Sequence, residues 1–207
     1  MTGTRGPSAR GRRAPYGGCL MRGRTTIPDD PYAIALLRGG ARAAVTVAVL
    51  GLHLRGAVEA GRPGTMRTCG PAAGAPLPPL ARAVHAALYR AAGLRQLPER
   101  RGVREALGEL RAELATAGLL RKVLPGPTVR ARRALRDLRG GHPLPGHRSG
   151  LSVDDKLLLV ALHGDRALTA LAPRFTREAG LTGQGGSTDR EPPGSWGGGG
   201  GFGCGAV

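Results

Sequence analysis

The twelve residues from Ala43 to Leu54 are apolar apart from Thr46 and His53, and arginines stand at both ends, Arg42 and Arg55. A run of this length is too short to cross a bilayer, which takes about 20 residues. It is also too uniformly apolar for a helix with one wet face. It therefore predicts a central helix that the rest of the chain must cover. No stretch of 18 or more apolar residues occurs anywhere, so no transmembrane segment is expected.

The neighbouring residues frame this helix. Asp30 suits an N-cap and Pro31 the first helical turn, which predicts a helix carrying Ala33, Leu36 and Leu37 on one face. Gly39-Gly40 ends it, the buried helix runs over 41–54, and Arg55-Gly56 stops that one. Residues 57–60 and 65–69 are short strand-like runs around Gly61-Arg62-Pro63-Gly64, which predicts a small hairpin at 57–68. Helix, helix, hairpin is the order at the end of a winged helix.

Residues 70–79 read as a Pro/Ala/Gly linker. Leu80, Val84 and Leu88 then mark one helix, and Val103, Leu107, Leu110 and Leu114 form the apolar stripe of another, closed by Gly118. Glu105, Glu109 and Glu113 lie on its wet side. After Pro125-Gly126-Pro127 comes a short basic helix over 129–139, with Ala131, Ala134, Leu135 and Leu138 on one face and arginines over the rest. Ser152 to Asp155 resembles a capping box that opens a helix through Leu162. Gly164-Asp165 starts a further short helix, which Pro173 is expected to stop. With 3% aromatic residues, the core must be built from Leu, Ala and Val.

The two ends differ from the middle. Residues 1–25 hold six arginines and no acid among many Gly and Pro, and do not resemble a secretory signal. From about Thr182 the chain is rich in Gly, Ser and Pro. Both ends are expected to be disordered for lack of apolar surface to bury. The reading is a mainly α fold: a disordered arm over 1–27, a helical winged-helix-like domain over 28–120, a basic helix and C-terminal helices over 121–181 packed on the core, and a disordered Gly-rich tail over 182–207.

The net charge is +17, from 31 basic residues of which only Lys122 and Lys156 are lysines. GC-rich codons account for arginine over lysine. They account poorly for the excess over 14 acids. Such a charge suits an acidic partner: another protein, a nucleic-acid backbone or an anionic membrane surface. The candidate phosphate or anionic-surface contacts are Arg10, Arg12 and Arg13 in the arm and Arg130, Arg132, Arg133 and Arg136 on the basic helix. As a recognition helix, 41–54 would offer only Arg42, Thr46 and His53 to base edges, too few for sequence readout. Scarce aromatics speak against stacking on single strands. Cys19, Cys69 and Cys204 form no C-x-x-C and no even disulfide set, which suits a reducing, cytoplasmic compartment, with a peripheral place at the membrane as the variant.

Catalytic motifs are missing. Neither lysine stands in Gly-Lys-Ser/Thr, no Glu follows a His, and no G-x-S-x-G elbow occurs. His142 and His147 share a Gly/Pro loop and lack a third metal ligand. His53 and His85 fall in apolar helices as half-buried, satisfied side chains. No catalytic, metal-binding or cofactor-binding residue is assigned. The reading is a non-enzymatic interaction or scaffold domain, with a basic DNA-associated protein and a membrane-associated protein as alternatives.

Asp30-Pro31-Tyr32, then Leu36-Leu37-Arg38-Gly39-Gly40, then Arg55-Gly56-Ala57-Val58-Glu59 before the hairpin, resemble an uncharacterised actinobacterial family. Its helical domain begins DPY…L.GG, many members carry transmembrane helices, and their tails are rich in Gly with scattered Cys. The resemblance covers roughly 28–207, down to Gly197–Gly205 with Cys204. It implies a helical domain, and in longer members membrane association. Where those members have membrane helices, between Leu120 and Val129, this chain has only residues 121–128. The resemblance implies no activity and no catalytic residue.

Overall fold

A computed structural model describes residues 29–74, 76–121, 126–145 and 150–182. The expected N-terminal arm and Gly-rich tail, with Arg10, Arg12, Arg13, Cys19 and Cys204, lie outside these residues, as does His147. The architecture is mainly helical with one short antiparallel hairpin.

The first helix, α1, runs Pro31–Leu54. Asp30 caps it: its carboxylate accepts from the backbone N–H of Tyr32 at 3.1 Å and of Ala33 at 3.3 Å. Gly39 and Gly40 leave helical geometry and kink it, so the two expected helices are the halves of one bent rod. Gly40 takes φ 71°, which glycine adopts without strain. Of the 24 residues of α1, 16 are buried. The helix is long and apolar enough to cross a membrane by length and composition alone. Its apolar surface is spent instead on packing, foremost against α5 (Val153–His163) and α2 (Pro79–Ala87). Gly51 makes the α5 crossing close: a Cβ there would meet Leu157 Cδ1 at 3.3 Å. At the helix end Arg55 is drawn in to 15% exposure, 4.0 Å from Asp154.

The hairpin pairs β1 (Val58–Ala60) with β2 (Met66–Thr68), Val58 opposite Thr68 and Ala60 opposite Met66. Val58 and Met66 are buried, and Met66 forms a further bridge with Ala92. The hairpin thus lies on the core and does not project as a wing. Its tip is held as well: the Gly64 N–H donates to the Glu178 carbonyl at 3.1 Å, and a Cβ on Gly180 would come within 2.9 Å of Gly64 Cα.

α2 buries Leu80 and Val84, and Leu88 follows at its end. A short 3-10 turn, Leu97–Glu99, leads into α3 (Arg101–Thr116). Its stripe is as expected, except that Leu110 is only half-buried while Ala106 is buried. α4 (Val129–Gly141) is capped by Thr128, whose Oγ1 accepts from Ala131 N–H at 3.2 Å. α5 opens on the expected capping box: Ser152 Oγ accepts from Asp155 N–H at 3.0 Å, and Asp155 Oδ2 accepts from Ser152 N–H at 3.2 Å.

α6 (Asp165–Leu171) follows and ends just before Pro173, as expected. Pro173 also opens a further helix, α7 (Pro173–Glu178), which the sequence reading did not anticipate. Proline needs no N–H at a first helical position, so the residue that stops one helix starts the next. α7 brings in Phe175, 4% exposed, which stacks on His53 with ring centroids 3.7 Å apart and planes within 3°. One contiguous hydrophobic core runs from Tyr32 to Leu181, so the segments before and after residue 120 share it.

Candidate functional site

α4 is the most basic element. Ala131 is buried, and Ala134, Leu135 and Leu138 pack half-buried on the core. Arg130, Arg132, Arg133 and Arg136 are exposed on the other faces. The four candidate contacts on this helix therefore share one solvent-facing surface, while Arg10, Arg12 and Arg13 lie outside the described residues. The apolar stripe faces inward, and the outer surface carries the arginines together with Asp137 and, in the first turn, the exposed Val129.

Two arginines do something sequence reasoning missed. Arg139 donates from Nε at 3.0 Å and from Nη2 at 2.7 Å to the Leu162 carbonyl. Arg38 donates from Nε at 2.7 Å to the Ala161 carbonyl. Carbonyls in the last turn of a helix lack partners within it and carry the negative end of the helix dipole, so two cations satisfy both needs at the end of α5. His163 adds an Nε2 contact of 2.7 Å to the His142 carbonyl.

The other histidines among the described residues also meet backbone carbonyls. His53 Nδ1 lies 3.0 Å from the Val58 oxygen and His85 Nε2 3.0 Å from that of Gly70. His142 Nδ1 lies 3.0 Å from the Leu138 oxygen, back along its own helix. Among the described residues no three His, Cys, Asp or Glu side chains group so as to hold a metal ion.

α3 separates two concavities of opposite character. On one side a pocket of about 130 Å³ gathers Asp30, Glu109 and Glu113 around Tyr32 and Leu110. Burial there raises the Asp30 carboxyl above the usual carboxylate range; the Tyr32 and Ala33 N–H groups oppose this and Glu113 adds to it. Burial pushes the Tyr32 phenol up to about 12, against the pull of Arg55. On the other side a cleft of about 580 Å³ lies between the α1 kink, the C-terminal half of α3 and Leu120, Arg121, Gly126 and Pro127. Arg38, Arg111 and Arg121 stand around it, over Leu36, Ala112 and Leu120.

The helix that a winged-helix protein would place in a DNA groove, 41–54, is the most buried segment of the fold; Thr46 is 8% exposed and spends its hydroxyl on the Arg42 carbonyl at 2.9 Å. No protein-family model, curated protein or solved structure matches the chain.

Proposed function

We propose that this chain is a non-enzymatic interaction domain that engages an acidic protein segment through the arginine face of α4. The observation that carries the reading is the division of α4 between an Ala/Leu stripe on the core and exposed Arg132, Arg133 and Arg136. Guanidinium groups pair with carboxylates in a two-pronged geometry that lysine cannot match. With Leu135 and Leu138 turned to the core, Val129 is the exposed apolar side chain of α4, which gives it little surface to insert into a bilayer. With 41–54 buried, contact with a duplex would be confined to phosphates.

The test titrates the full chain with a Glu-rich peptide, duplex DNA and vesicles containing anionic lipid, each over a salt series. Peptide binding that weakens with salt and is lost in the triple variant Arg132→Gln/Arg133→Gln/Arg136→Gln supports the proposal. Stronger retention of duplex than of peptide replaces it with the DNA-associated reading. Flotation with the vesicles replaces it with the membrane-associated one.

A further inference from the structure

From the cleft between the α1 kink and α3 we infer a second binding site, for a small amphiphile: one carboxylate or phosphate head on an apolar body. Its volume of about 580 Å³ lies within the range of roughly 300–1,000 Å³ typical of small-molecule sites. Its lining is divided. Leu36, Ala112, Ala115 and Leu120 offer carbon surface, and Arg111 and Arg121 line the same hollow beside Arg38, whose guanidinium is held on the Ala161 carbonyl. No acidic side chain lines it among the described residues, whereas the opposite side of α3 carries Glu105, Glu109 and Glu113.

Arg38 is already committed through Nε to the Ala161 carbonyl, which fixes where its guanidinium stands. Arg111 and Arg121 are exposed, and among the described residues neither forms an ion pair. The like charges of Arg111 and Arg121 at one hollow repel, and an anion between them relieves that repulsion. An anion alone would find no use for the leucine and alanine surface, and an apolar ligand alone would leave the cations unanswered. A ligand with both parts matches both. The α1 kink keeps the way open: at Gly40, which lines the cleft, an added Cβ would meet nothing within 4 Å.

The experiment is calorimetric titration of the full chain with monomeric decanoate, decyl phosphate, decanol, acetate and inorganic phosphate. Decanoate or decyl phosphate should bind at least about tenfold tighter than the neutral alcohol and than the tail-less anions, since head and tail each contribute. The stronger of the two decyl anions names the head. Ala112→Trp fills the cleft from an exposed helix position and should abolish this binding; Ala112→Glu, a smaller change, should weaken the anions and spare decanol. Arg111→Gln and Arg121→Gln should each weaken the anions. Circular dichroism confirms that every variant is folded. Equal affinity for decanol and decanoate, full binding by Ala112→Trp, or no binding of either decyl anion overturns the inference. The site is separable from the α4 surface: Ala112→Trp should leave Glu-rich peptide binding intact, and the triple α4 variant should leave decanoate binding intact.

Discussion

The guanidinium of Arg38 lies so close over Gly164 that a Cβ on that glycine would come within 2.5 Å of Nη1. The contact joins the end of the first half of α1 to the turn between α5 and α6, 126 positions away. Gly164 also holds φ 65° and ψ −135°, which side-chain-bearing residues rarely adopt. Gly164→Ala should therefore destabilise the fold by about 1–3 kcal/mol from backbone strain alone, and more if Arg38 is displaced from the Ala161 carbonyl. Urea unfolding reads the difference. A midpoint unchanged from the parent chain would refute the account of this turn.

The His53–Phe175 stack fastens α7 to the end of α1. Phe175→Ala removes a buried ring and should cost about 3–5 kcal/mol. Hydrogen exchange should show 173–181 losing protection first, since α7 has little else large to bury. Uniform loss across the domain would mean that the ring supports the whole core.

The capping box of α5 ties stability to acid. Hydrogen bonds from the Ser152 side chain and backbone hold the Asp155 carboxyl below the usual range. A carboxylate so lowered contributes stability that is present above its ordinary pKa and is lost as pH falls through the lowered one. Ser152→Ala should cost about 1 kcal/mol at neutral pH. The gap between the two proteins should narrow on acidification below the carboxylate range, the remainder being the bond from Asp155 N–H to Ser152 Oγ, which does not titrate, as followed by urea melts at stepped pH. A gap that stayed constant would detach Asp155 from the cap.

Tyr32 sets the alkaline limit. Its phenol ordinarily ionises near 10 and is pushed up to about 12 by burial. The neutral phenol favours the folded state, so this contribution is complete below pH 10 and is lost as pH rises towards 12. Two units correspond to about 3 kcal/mol. Tyr32→Phe should lack this decline, so its unfolding midpoint should fall less than that of the parent between pH 10 and 12.

Much of the fold was legible because its signals are local. The break in helical geometry at Gly39-Gly40, read as a helix end, the stripe Val103–Leu107–Leu114, the hairpin around Pro63-Gly64 and the Ser152–Asp155 cap each lie within a dozen residues. Pro173 stops α6 as its ring requires, but that it also starts α7 was not legible, because only the tertiary use of Phe175 decides it. The arginines of α4 could be marked by composition. The roles of Arg38 and Arg139 could not, since their acceptors lie 123 and 23 residues away and a long side chain reaches any carbonyl the fold delivers. The cleft was hidden for the same reason: Arg38, Arg111 and Arg121 meet only after α3 has packed beside α1.

The dominant partner of α1 is α5, and about a hundred residues separate the end of one from the start of the other. On a ribosome adding roughly 5–20 residues per second, the most apolar segment of the nascent chain waits about 5–20 s for its cover. During that interval α2 and α3 can shield only part of it. Production of this protein should accordingly respond to translation speed and to chaperones that hold exposed apolar helices, more than its stability once complete would suggest.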